Sequence, residues 1–294
     1  MRAVSLVMAL AWLLAGPALA SSDAPIAATK LETAVIMRVD AKIVIEPGGA
    51  LGDVKFDTPL DPALHAALER AVRGWRFKPV LIDGVPRRAN TSMRVVLAAL
   101  GADKQLRIVV DSVDFPMASN PEAVIADDQV APITSNRLNP PRYPPTQMHG
   151  GVTAKILLGM RITPEGRVGE IASIQSMLLQ TRQGEKANLR NIRVFEAAAI
   201  TAARQWTFKV PDSTVPRTAE QMTITVPVTF SAGYDPDTPG QWLAVVRVPR
   251  QQLPWLPPAA GGLKLGVASA AGGGVSPFSS AFGLSSDVVG TSLQ

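Results

Sequence analysis

The same aromatic step closes two apolar-faced segments of this chain: Ala71-Val72-Arg73-Gly74-Trp75-Arg76-Phe77-Lys78 and Ala202-Ala203-Arg204-Gln205-Trp206-Thr207-Phe208-Lys209. Each step follows a second matching cassette. In the first copy it is Ile45-Glu46-Pro47-Gly48-Gly49-Ala50-Leu51-Gly52-Asp53-Val54, and in the second Ile162-Thr163-Pro164-Glu165-Gly166-Arg167-Val168-Gly169-Glu170-Ile171. Two cassettes in the same order and at similar spacing mark an internal repeat, one supersecondary unit written twice.

In the first copy, 33–45 is a Val- and Ile-rich strand, Pro47-Gly48-Gly49 supplies a turn, and 51–56 returns as a second strand. Asp61-Pro62 opens a helix with an acidic cap and a proline where the missing N–H costs nothing. Leu64, Ala67, Leu68, Ala71, Val72 and Trp75 recur at helical spacing, and after an Asp83-Gly84 turn 92–100 forms a third strand. The second copy repeats this order with strands at 152–162 and 167–176, a helix near 191–205 and a strand at 221–230; an extra polar loop at 179–190 precedes its helix. The pattern predicts an α+β chain of two tandem small two-layer domains, each strand-strand-helix-strand with the helix packed on an antiparallel sheet. They span 33–115 and 140–250. A Pro-, Asn- and Asp-rich linker at 116–139 separates them, and a late strand at 242–248 closes the second. From 256 to 294 the Pro257-Pro258 and Gly272-Gly273-Gly274 clusters sit in a Ser/Ala/Gly mixture without period, the composition of a disordered tail.

Residues 1–20 have the three parts of a secretory signal peptide: Arg2, an apolar run over 4–14, and Ala18-Leu19-Ala20 as a small-x-small cleavage site. The run is about a dozen residues, short of the roughly 20 that a spanning helix needs. Cleavage leaves Ser21 first and places the protein in the periplasm; left uncleaved, the same segment is a membrane anchor. The chain has no cysteine, which excludes a disulfide framework and a lipidated N-terminal Cys. Its net charge of +5 is dispersed, and export removes nucleic acid as a partner.

Raw material for catalysis is sparse. His65 and His149 are the only histidines, and neither has a metal-ligand spacing. There is no Gly-x-Ser-x-Gly elbow and no phosphate-binding Gly-x-x-x-x-Gly-Lys-Ser/Thr loop. The expectation is a protein without catalytic, cofactor-binding or metal-binding residues. In each Trp-x-Phe step the two rings share a face and serve as core. The informative segment is Met222-Thr223-Ile224-Thr225-Val226-Pro227-Val228-Thr229-Phe230, where Thr alternates with apolar residues and Pro227 interrupts. Proline cannot donate to a ladder, so this is an edge strand. Such an edge either accepts a strand from a partner or carries its proline to prevent that pairing.

Tyr143-Pro144, Gly150-Gly151-Val152, Pro164-Glu165-Gly166-Arg167-Val168, Ala202-Ala203-Arg204-Gln205-Trp206-Thr207-Phe208 and Val226-Pro227-Val228-Thr229-Phe230 together resemble the C-terminal domain of TonB energy-transducer proteins, over about 140–231. The first copy, about 33–100, is similar through Trp75-Arg76-Phe77-Lys78-Pro79 and Gly84-Val85-Pro86 but lacks the Tyr-Pro pair and the strand proline. The resemblance implies a periplasmic domain that binds a segment of an outer-membrane transporter by strand addition. It implies Ile224, Thr225, Val226, Pro227, Val228, Thr229 and Phe230 as the contact strand. The family's uncleaved anchor and long proline-rich spacer are replaced here by a cleavable-type signal and a second domain copy. The expectation is a non-enzymatic periplasmic binding protein engaging an envelope protein or peptide, such as a TonB-dependent outer-membrane receptor. The alternative is a membrane-anchored energy transducer of TonB-dependent transport, and a third is that the domains only self-associate. Which parity of position along 224–230 faces outward is not fixed by the sequence.

Overall fold

The Val- and Ile-rich run that opens the first repeat forms the longest strand, β1 (Glu32–Ile45). In a computed structural model of the chain, residues 30–82, 84–100, 106–116, 131–213, 216–231, 233, 237–258, 266, 270, 274–278 and 282–293 are described. Residues 1–20, expected to be a signal peptide, most of the stretch expected to be a linker, and Asp83 lie outside them. After β1 come β2 (Leu51–Phe56), α1 (Pro62–Arg73), β3 (Val80–Ile82), β4 (Val85–Arg87), β5 (Ala89–Leu100), β6 (Arg107–Asp114) and β7 (Thr134–Arg137). A 3-10 turn (Pro145–Gly150) leads to β8 (Thr153–Ile162), β9 (Val168–Leu179), α2 (Glu185–Ala203), β10 (Thr207–Lys209), β11 (Thr223–Phe230), β12 (Leu243–Arg247) and β13 (Ser276–Pro277).

Local chemistry sets the helix ends. The Asp61 carboxylate accepts from the Ala63 N–H at 2.9 Å, capping α1 with Pro62 in its first turn. Helix α2 starts earlier than the sequence suggests, within the stretch expected to be a polar loop. The reason lies in its amides: Asn188 and Asn191 donate to the Gln183 carbonyl and side chain, at 2.8 and 2.9 Å, and Thr181 donates to Asn188 at 2.8 Å. These polar side chains face the preceding loop and anchor the first turns.

The repeat is visible in its contacts. Phe77 N–H donates to the Gly49 carbonyl at 2.8 Å, and Phe208 N–H donates to the Gly166 carbonyl at 2.9 Å. Both glycines sit at positive φ, 77° and 75°, and a Cβ on either would collide with the carbonyl of the same phenylalanine. Turn cassette and aromatic step are therefore one clamp in each copy. Trp75 and Trp206 are buried beneath their helices, and the Trp206 indole donates to Asn139 O at 2.7 Å.

The expectation of two tandem α+β domains is overturned. Nine strands form one antiparallel sheet in the order β13-β11-β8-β9-β12-β1-β5-β6, with β2 also paired to β1, and two helices of 12 and 19 residues cover one of its faces. The join is β12, which pairs with β9 on one side and with β1 on the other. It was expected to close the second repeat alone. A separate unit would leave β1 an unpaired row of N–H and C=O groups over Glu32–Ile36, and β12 satisfies them.

On the helix face, α1 covers a core containing Val39, Ile43, Leu68, Val72, Trp75, Phe77 and Val95, and α2 covers one containing Ile156, Phe195, Trp206, Val226 and Phe230. The opposite face has a single core that spans the join, with Ile36, Val96, Leu157, Ile174, Leu179, Leu243, Val245 and Leu253.

The stretch from 256 onward, expected to lack structure, is packed over its described residues. Leu284 and Val288 enter the α1 core. Lys78 N–H donates to Gly283 O, Val110 N–H to Thr291 O, and Leu293 N–H to Ile108 O, so the last residues cover the outer side of β6. A few apolar anchors several residues apart, without helical or strand period, do what no continuous pattern announces. The end of the linker is also structured: β7 pairs with β10.

Removing either buried indole leaves a large cavity. Trp75→Ala and Trp206→Ala are each expected to destabilise the protein by roughly 3–5 kcal/mol. Because the sheet is continuous through β12, both are expected to lower one shared unfolding transition in calorimetry. Two transitions that respond separately would contradict the continuity.

Candidate functional site

Strand β11 packs Ile224, Val226, Val228 and Phe230 into the α2 core, with the Phe230 ring 5.0 Å from Phe195 and 6.4 Å from Tyr143. The Tyr143 hydroxyl donates to Val152 O at 2.6 Å and so pins the start of β8; burial raises its pKa. The side-chain alternation seen in the sequence separates the two faces of the strand, but both are covered at its start: Thr223 and Thr225 are buried too, and only Thr229 is exposed. All seven residues expected to form the contact strand lie on this one strand, paired along its length with β8 from Thr223↔Arg161 to Phe230↔Ala154.

Backbone direction settles what the sequence left open. Ile162 N–H donates to Met222 O at 2.8 Å across the β8 side, so in an antiparallel ladder the even-numbered residues direct their backbone groups at β8. The odd-numbered ones point away: on the other side, Phe278 N–H donates to Thr223 O at 3.0 Å. Thr223, Thr225, Pro227 and Thr229 therefore carry the outward groups. Pro227 lacks its N–H where β8 needs none.

That outer side is partly occupied. β13 pairs with Ile224 and Thr225, and the Thr225 hydroxyl donates to Ser276 O at 3.4 Å. The Trp255 indole donates to the Thr223 hydroxyl at 3.0 Å. Along Val226–Phe230 no strand among the described residues pairs on the outer side. The corresponding strand of the first repeat, β5, offers no such edge, because it lies between β1 and β6. β13, Trp255 and Phe278 were not legible as neighbours of this strand, since they lie in short segments without periodicity.

Other polar features are structural. A groove of about 700 Å³ is lined by Arg161, Thr163, Pro211 and Arg217 among others. Its Arg217 guanidinium donates to the carbonyls of Ala131 and Pro211, at 3.0 and 3.1 Å, and Arg161 is paired with Glu170. His65 stacks edge-on against Phe56; the His149 side chain lies outside the described ones. Among the described residues no group of three or more His, Asp or Glu could hold a metal ion, and no helix is long and apolar enough to cross a membrane.

On the face away from the helices, Asp237 binds Lys155 at 2.6 Å and Arg38 at 3.0 Å, and Asp40 binds Arg94 at 2.6 Å. Asp114 stands opposite Arg94 in the β5–β6 ladder. Burial pushes its carboxyl up to about 6, against the opposing effects of the Phe115 backbone N–H and the Arg94 charge. Glu196, buried in α2, is likewise raised by burial, although the Ser176 hydroxyl donates to it.

Two measurements follow from this geometry. Val228→Pro removes an N–H aimed at β8 and is expected to cost roughly 2–4 kcal/mol, whereas Thr229→Pro removes an outward one and is expected to cost less than half as much; urea unfolding of the two variants compares them. The Asp114 carboxyl has a higher pKa folded than unfolded, so the folded state binds its proton more tightly. Stability from this group is fully present near pH 4 and is lost as pH rises through about 6, by at most about 3 kcal/mol. Asp114→Asn is expected to remove this fall between pH 4 and 6, as read from urea midpoints.

No protein-family model, curated protein or solved structure matches the chain.

Proposed function

We propose that this is a non-enzymatic periplasmic binding protein that engages an extended segment of an envelope protein, of the TonB-dependent outer-membrane receptor class, by adding it as a strand to β11. The carrying observation is the outward parity of Thr225, Pro227 and Thr229, with no described strand paired beyond Thr225 on that side. Backbone bonding along such an edge supplies affinity, and alternating side-chain positions supply selectivity. The resemblance of 140–231 to TonB C-terminal domains supports the same strand as the contact. With β5 enclosed, binding uses the second repeat alone, and the partner extends the whole sheet rather than a small domain.

A photo-cross-linking residue at Thr229 is expected to give a discrete adduct in the cell envelope, whereas the same residue at exposed Ala66 on α1 gives none. Affinity capture with Thr229→Pro, checked for folding by circular dichroism, is expected to lose that partner at least tenfold. Equal adducts from both positions, or undiminished capture by the proline variant, would place the contact elsewhere.

A further inference from the structure

We propose that β13 is an internal ligand of the β11 edge, which an incoming strand displaces after seating on Val226–Phe230, where no described strand pairs; this rests on β11 being the strand-capturing edge. β13 lies where an added strand would lie. It is antiparallel to β11, with Ile224↔Pro277 and Thr225↔Ser276 in register, and Phe278 N–H donates to Thr223 O. Its side chains alternate as those of a bound strand must: Val275 packs against the α2 core and Phe278 against the core of the opposite face. By the same alternation Ser276 and Phe278 direct their backbone toward β11, and Pro277 turns its N–H-less nitrogen outward.

The segment is short enough to leave. Two residues pair, while the chain on both sides is held independently. Upstream, Leu253 is buried in the opposite-face core; downstream, Ser285 N–H donates to Arg76 O and Leu284 and Val288 are buried. Those flanks keep β13 near the edge at high effective concentration without adding to its own grip. Val226–Phe230 then acts as the landing site, and extension toward Thr223 competes with Ser276–Phe278. The occupant also states what the edge accepts: an extended segment with an aliphatic residue on the α2 side and, three positions later, an aromatic on the other.

The chain has no cysteine, so a Thr225→Cys, Ser276→Cys double variant can form only one disulfide within the molecule. Paired residues in an antiparallel ladder lie about 4.5–5.5 Å apart at Cα, within disulfide range. The probe is a fluorescein-labelled peptide copying residues 274–282, read by anisotropy. The reduced variant is expected to bind it at least tenfold more tightly than the oxidised one. Phe278→Asp, which leaves β11 unaltered and loosens β13, is expected to bind at least tenfold more tightly than the wild-type chain. Thermal melts confirm that every form is folded. Equal binding by oxidised, reduced and Phe278→Asp forms overturns the internal ligand while leaving the edge as a binding strand. Binding by no form overturns it as well, and the Thr229 cross-link then decides the edge independently.

Discussion

Five residues, Leu243–Arg247, decide that the two repeats share one sheet. The backbone of β12 serves β1 on one side and β9 on the other, which removes two edges at once. Leu243 and Val245 enter the opposite-face core beside Ile36, Leu179 and Leu253, so the same strand that joins the ladders also joins the packing. Arg247 completes the join with charge: it binds Asp111 on β6 at 2.8 Å and Glu32 on β1 at 3.1 Å, while Arg250 binds the same Asp111 carboxylate at 2.7 Å. Asp111 is buried, so losing either arginine would strand part of a desolvated charge. In the shared sheet β11 has only the two-residue β13 beyond it, while β5 lies between β1 and β6.

The repeats show what position in a sheet does to a sequence. Val39 pairs with Val95 in the first, and Ile156 with Val228 in the second; Gly49 and Gly166 each follow the first member of the pair by ten residues. Arg94 and Pro227 are therefore equivalent positions. Arg94 faces Asp114 on β6, in a ladder where a proline would cost a bond. Pro227 faces the outside, where it costs no bond to β8 and leaves only its carbonyl for an added strand. One unit written twice has diverged where its surroundings differ.

Much of the local structure was legible because its causes are local. Asp61-Pro62 announced α1, and the Trp-x-Phe steps announced their own burial. The edge expected from Pro227 is partly covered, because β13 pairs with Ile224 and Thr225 beyond β11. Long-range pairing was not legible. Leu-Ala-Val-Val-Arg reads as a strand but says nothing about which two strands it joins, and the two-domain expectation failed there. The start of α2 was hidden because Asn188 and Asn191, poor helix formers by propensity, gain from side-chain bonds to Gln183 that exist only once the loop is folded. Leu284 and Val288 were hidden by the small residues around them, and β13 by having only two residues.

The pairing of β1 with β12 also sets a temporal order. Glu32 and Arg247 are bonded across 215 positions of sequence, so the first strand to emerge waits for nearly the last to be paired. Loops of that span are entropically slow to close, and no disulfide holds intermediates together. Until β12 arrives, the Val- and Ile-rich β1 presents an unsatisfied edge prone to pairing with other chains. A chain of this design completes its sheet late, and its passage to the native state depends on keeping that first strand solitary in the meantime.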